Sequence, residues 1–203
     1  MQKISSFLHR FIDLSKEEME ILMGYCSIRN FEKKQKIIVQ GEMEDHLNLV
    51  VSGLVMKYTS SKNSSTIIQL ATEGHIICAE ISYLVRIPTL VTVETLEPTV
   101  LVSIQYDQMQ KALQQFPRAE ELGRKLLESM YLLKEERKFA RLSMSVRERF
   151  LHYLDRHPHM LQRVPQKYLA SYLRMKPETF SRLKHLTMKG ERPAAPKKTG
   201  LSA

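Results

Sequence analysis

The spacing of apolar positions changes period twice along the chain, and each change marks a different kind of element. Ile4, Phe7, Leu8 and Phe11 come first, and Ser15 followed three residues later by Glu18 is a capping-box signature that predicts a helix from Glu17 to Tyr25. Beyond Phe31 the period becomes that of strands: Ile37 to Val39, a turn at Gly41-Glu42, then Leu47, Leu49 and Val51 on alternate positions. Gly53 breaks this run and Val55 to Tyr58 resumes it. Turn signals at Lys62-Asn63-Ser64-Ser65 and Glu73-Gly74 precede Thr66 to Leu70 and His75 to Cys78, and Pro88 and Pro98 delimit Leu90 to Leu96 and Val100 to Ile104. Many short strands at this spacing predict a β-barrel or jelly roll.

After Tyr106-Asp107 the helical period returns and holds to about Phe139, interrupted by Pro117. In the long helix past that proline, Ala119, Gly123, Leu126, Met130, Leu133, Arg137 and Ala140 repeat at steps of four and three, a seam of about three heptads. Two partners suit it, a second helix or the chain's own barrel, and Leu122 and Leu127 on the flanking faces leave room for both. Residues 143–157 predict a further helix with Val146, Phe150, Leu151 and Leu154 inward, stopped by Pro158, and Leu161 to Val164 suits a short strand. From Val164 to Lys184 two short helices follow, joined by a tight turn. Tyr168, Leu169, Tyr172 and Leu173 face inward on the first, and Phe180, Leu183 and Leu186 on the second, with Pro177 at a first helical position. Glu178, Thr179, Ser181, Arg182 and His185 are left outward, a set that can donate to and accept from base edges.

Charge sharpens that reading. Residues 1–106 hold 10 basic against 12 acidic side chains and residues 107–203 hold 21 against 10, so the net +9 belongs to the second half. From Arg141 onward the count is 14 against 4, as attraction to phosphate requires. Cys26 and Cys78 alone give neither a disulfide framework nor a four-cysteine cluster. Seven histidines show no ligand pairing beyond His157-Pro-His159, which is more simply a polar turn, and no Ser or Cys stands in a nucleophile setting, so an enzyme is not expected. Without a signal peptide or a run of about 18 apolar residues, a soluble cytoplasmic protein is expected, with no cofactor, no metal and no membrane.

The segment PQKYLASYLRMKPETFSRLK resembles the helix-turn-helix of bacterial Crp/Fnr transcription regulators, whose recognition helix carries an E-T-x-x-R pattern, here Glu178, Thr179 and Arg182. The resemblance implies that Arg182 reads guanine, that Glu178 accepts from cytosine and that Gln166 and Lys167 touch phosphate. With Ser181 these make the base-reading set, and Lys176 and Lys184 join the phosphate set. Two positions depart from the pattern: Arg174 stands where a turn glycine is usual, and Lys176 where a capping Ser or Thr is usual. The resemblance extends over about residues 7–186, because Gly41-Glu42, Gly53 and Gly74 fall where cyclic-nucleotide-binding β-rolls place their turn glycines. In such domains a Gly-Glu pair holds the ribose and an arginine about ten residues on neutralises the cyclic phosphate. This chain has Ala79-Glu80 and then Pro88-Thr89-Leu90. A buried phosphate without a cationic partner is strongly disfavoured, so cyclic AMP is not expected to bind in the usual mode. Ala79, Glu80 and Thr89 remain the effector-pocket candidates, although Glu80 reads more readily as a solvated or hydrogen-bonded loop carboxylate than as a ligand group.

The expected architecture is α+β. It comprises an N-terminal jelly-roll β-barrel over residues 1–115, a long dimerisation helix over 116–141, a helix-turn-helix domain over 142–188 with a reduced wing, and a disordered basic tail over 189–203. The resemblance implies a homodimer whose seam runs through Gly123, Leu126, Met130, Leu133 and Arg137, with double-stranded DNA, RNA polymerase and an unidentified small-molecule effector as partners. The competing expectation is a cyclic-nucleotide-binding or other ligand-sensing module whose C-terminal helices contact a protein.

Overall fold

The computed structural model describes residues 2–61 and 64–188, so the predicted tail, the wing region and part of the Lys62–Ser65 turn lie outside the described residues. The chain parts into two compact units after Leu132. In the first, helices α1 (Gln2–Leu8) and α2 (Lys16–Gly24) precede eight strands: β1 (Cys26–Phe31), β2 (Lys36–Ile38), β3 (His46–Ser52), β4 (Val55–Ser61), β5 (Ser64–Ala71), β6 (Ile76–Ile77), β7 (Thr92–Thr95) and β8 (Thr99–Gln105). A short helix α3 (Glu80–Val85) lies between β6 and β7, and α4 (Tyr106–Gln115) leads into the long α5 (Ala119–Ser143). The strands form two antiparallel four-stranded sheets, ordered β1-β8-β3-β6 and β2-β7-β4-β5, an N-terminal β-roll as expected.

Alternation explains how the roll is filled. Along β3, Asn48 and Val50 are buried inside the roll, whereas Leu49 and Val51 turn the other way, onto a cluster formed by Ile4, Phe7, Leu8, Leu22, Phe116, Ala119 and Leu122. The strand β8 serves both sides: Leu101 joins the interior cluster with Val50, Val55, Ile77 and Val93, and Val102 joins the helical one. Asn48 is accommodated because its amide nitrogen donates to the carbonyls of His46 and Ile77, and its oxygen accepts from Ser103 at 2.7 Å. Gly53 is required at its turn, since φ is 102° and an added Cβ would lie 2.6 Å from the Pro98 carbonyl oxygen.

Helix α2 begins as predicted, with the Ser15–Glu18 capping box formed. The first turns of α5 settle on the chain's own roll through Ala119, Leu122 and Leu126. Beyond them Leu127, Tyr131, Leu132 and Leu133 are exposed.

The second unit holds α6 (Val146–Arg156), α7 (Met160–Arg163), α8 (Gln166–Tyr172) and α9 (Pro177–Met188). A second capping box, Ser145 with Glu148, starts α6. Two expectations are corrected here. Leu161 to Val164 is not a strand: Met160 and Val164 are both buried and sit four apart on one face of a helical turn, closed by the Val164 N–H on the Met160 carbonyl at 3.0 Å. Val146 is exposed at the start of α6, and Tyr153 takes the inward position with Phe150. No helix among the described residues is long and apolar enough to cross a membrane.

Candidate nucleic-acid interface and effector pocket

The core of the second unit fixes the hairpin of α8 and α9. Leu169, Ala170, Phe150 and Phe180 are fully buried, and the two phenylalanine rings meet edge to face at 5.2 Å. Ala170 carries the smallest possible Cβ where the two helices come together. Arg174 occupies the left-handed position after α8, at φ 56°. The Met175 N–H reaches back to the Ala170 carbonyl at 3.0 Å and the Arg174 N–H to Ser171 at 3.1 Å, so α8 ends in a Schellman motif with arginine where glycine is cheapest. Arg149 supports the turn by donating to the Leu173 and Met144 carbonyls. Arg174→Gly is expected to raise the stability of this unit, by less than about 1 kcal/mol because the freer unfolded chain offsets part of the relief, as a shift of the urea midpoint.

With Phe180 and Leu183 buried, α9 turns Glu178 and Arg182 to solvent, with Thr179 and Ser181 partly exposed beside them. Glu178 and Arg182 lie four residues apart and enter no hydrogen bond or ion pair among the described residues, which leaves both free for an outside partner. Of the phosphate candidates, Gln166, Lys167 and Lys176 are exposed and Lys184 is half-buried; the Lys167 ammonium rests 4.9 Å from the Tyr168 ring centroid. The hairpin therefore presents a short row of donors and acceptors flanked by cations.

In the first unit, the effector candidates are already engaged. Glu80 opens α3, and both its carboxylate oxygens accept from the Lys57 ammonium, at 2.9 and 2.7 Å, while the same ammonium donates to the Cys78 carbonyl at 2.9 Å. The Lys57 side chain is only 4% exposed and that of Glu80 19%. The Ala79 N–H donates to the carboxylate of Glu44, itself buried, and Thr89 is tied to the Gly41-Glu42 turn through its N–H and carbonyl. Arg86, at φ 59°, ends α3 and points to the loop before β3. It donates to the Glu44 carbonyl and to Asp45, both at 2.8 Å, and its guanidinium lies 4.2 Å from the Tyr106 ring centroid. The pocket that sequence suggested is thus cross-braced from within. Lys57, which sequence reasoning missed, is its central cation.

Burial raises the Glu44 carboxyl above its ordinary range, and burial together with nearby Arg29 lowers the His46 imidazole below its own. A histidine whose folded pKa is depressed contributes stability that is present above the unfolded value, about 6.5, and is lost as pH falls through the folded one. The part of the urea midpoint that His46 supplies is therefore expected to shrink as pH falls from 7 through 6, whereas the raised Glu44 carboxyl acts in the opposite sense. His46→Gln should take that part out of the pH profile; an unchanged profile would remove His46 from the account.

The candidate dimer seam divides. Gly123 and Leu126 border an apolar cavity of their own unit, Met130 and Arg137 are half-buried, and Leu133 is 40% exposed.

Comparison with known proteins agrees with this architecture. Residues 28–116 match the family model of the cyclic nucleotide-binding domain. No curated protein sequence matches the chain. Among solved structures, the c-di-GMP responsive global regulator CLP of Xanthomonas campestris is similar over 90% of this chain and 97% of its own, at 18% identity and a TM-score of 0.65. FixK2 of Bradyrhizobium japonicum is similar over 84% and 89%, at 16% identity and 0.66. The catabolite activator protein of Thermus thermophilus is similar over 94% and 91%, at 22% identity and 0.54. The chain shares with these regulators the fold of an N-terminal β-roll and a C-terminal helical domain.

Proposed function

We propose that this chain, with its cyclic nucleotide-binding-like β-roll and the fold of Crp/Fnr-type regulators, is a sequence-specific DNA-binding transcription regulator that works as a homodimer and does not use cyclic AMP. The observation that carries this is α9: a helix anchored by Phe180 and Leu183 that holds Glu178 and Arg182 outward and uncommitted, in the more basic half of the chain. A helix of this kind fits the major groove, where Arg182 pairs with the O6 and N7 of guanine, Glu178 accepts from the N4 of cytosine, and Thr179 and Ser181 serve either. Gln166, Lys167, Lys176 and Lys184 hold the phosphates and set the register.

A second copy is the natural cover for the exposed Leu127, Tyr131 and Leu133 of α5, and two recognition helices then read half-sites about 34 Å apart. Against cyclic AMP stand the Glu80 carboxylate, held by Lys57, and the Arg86 guanidinium, held by Asp45. A bound nucleotide would have to break the first pair to gain its ribose contact, and among the described residues the nearby Lys57 and Arg86 are both already committed. Selection of duplexes from a random pool by the full chain should enrich an inverted repeat. If no duplex is retained even at low ionic strength, the reading fails. Calorimetric binding of cyclic AMP at micromolar concentration would overturn the part concerning the effector while leaving DNA binding intact.

A further inference from the structure

In the first unit, between the outer face of the β1-β8-β3-β6 sheet and helices α1, α2, α4 and the start of α5, lies an apolar pocket of about 100 Å³ that is partly open to solvent. Phe7, Leu22, Cys26, Val102, Met109 and Gly123 are among its walls, one from each bordering helix and from β1 and β8. It is well separated in chemistry from the braced pocket around Glu80, for nothing polar is aimed into it. Asn48 borders the space, but its amide group is spent on His46, Ile77 and Ser103. The Cys26 thiol donates to the Leu22 carbonyl at 3.5 Å, and burial pushes its pKa up to about 11, so it remains a neutral, polarisable wall. Water in this space finds few hydrogen-bond partners on its largely apolar walls, which favours replacement of that water by a small apolar guest.

Gly123 adds an independent sign. Glycine in a helix interior is unfavourable, and it is usually kept where a neighbour comes too close for a side chain. Here a Cβ built on Gly123 meets nothing within 4 Å. Packing within this unit therefore does not require the glycine, and a side chain placed at this lining position has room.

We infer that this cavity is a binding site for a small, uncharged, apolar molecule, from the size of xenon to about that of one aromatic ring, distinct from the nucleotide position of the β-roll. The site lies wholly in the first unit, so it stands whether or not α9 reads DNA.

Toluene and xenon are the probes, and the full-length chain is the sample. Either probe at about tenfold its dissociation constant should raise the melting temperature by about 3 °C or more. Gly123→Leu and Ala112→Leu fill the space from different helices, and loss of the rise in either variant with an unchanged circular dichroism spectrum supports the site. Absence of any rise in the unaltered chain, or its persistence in both filled variants, overturns the proposal. Methyl resonances give a readout that needs no variant: toluene should move those of Leu22, Val102 and Leu122 and leave Leu169 and Leu183 of the second unit in place. A uniform or absent response overturns the site equally.

Discussion

Exchange of Lys57 for methionine is expected to lower the unfolding free energy of the β-roll unit by about 2–4 kcal/mol, the largest effect of any single substitution outside its apolar core. The ammonium sits at 4% exposure and donates to both oxygens of the Glu80 carboxylate and to the carbonyl of Cys78. Removing it leaves a largely buried anion without these donors, which is costlier than the pair's net worth. Loss of one partner of a buried ion pair runs to about 3–5 kcal/mol where no water can reach the survivor, and the 19% exposure of Glu80 places this case toward or below the low end. The double variant Lys57→Met/Glu80→Gln should recover most of the loss, since neither group then carries a charge into the roll. Urea titration of the two single variants and the double closes the cycle. A loss for Lys57→Met below about 0.5 kcal/mol would show that the pair is solvated and braces nothing.

Arg182→Ala carries the second large effect. On the selected operator it should weaken binding by about 1–3 kcal/mol and relax one base position, because the bidentate contact to a single base is what is lost. Lys167→Ala should instead weaken all sequences alike and reduce the slope of log affinity against log salt by about one. The two variants thus separate reading from holding. Equal loss by Arg182→Ala on operator and random duplex would show that this arginine only neutralises phosphate.

The strands of the roll were legible because Gly41, Gly53 and Gly74 punctuate short alternating runs, and all three adopt positive φ. The strand β1 was not: Cys26–Phe31 alternates weakly and leaves Ile28 65% exposed, so no face stands out in the sequence. Helix α3 was hidden because Ile81, Leu84 and Val85 are apolar yet exposed, and such a run has no amphipathic period. The hairpin of α8 and α9 was the clearest element, since buried Leu169, Phe180 and Leu183 recur at helical spacing. The brace of Lys57 on Glu80 could not be read at all. The two residues stand 23 positions apart, and in Val55-Met56-Lys57-Tyr58 the lysine looks like any outward strand position. Only the closing of the roll, which buries both faces of β4 at Val55, Met56 and Lys57, turns it inward.

The double duty of β8 has a consequence for how the first unit comes apart. Leu101 and Val102 are neighbours in sequence, yet each belongs to a different apolar cluster, one inside the roll and one beneath the helices. Stripping the helical layer bares one flank of this strand, and opening the roll bares the other, so losing either layer weakens a strand on which the other also rests. Amides along Thr99–Gln105 should accordingly be the last of the unit to exchange with deuterium, and at one common rate. A protease that nicks the N-terminal helices should release a chain that melts as a whole, with no stable barrel left behind.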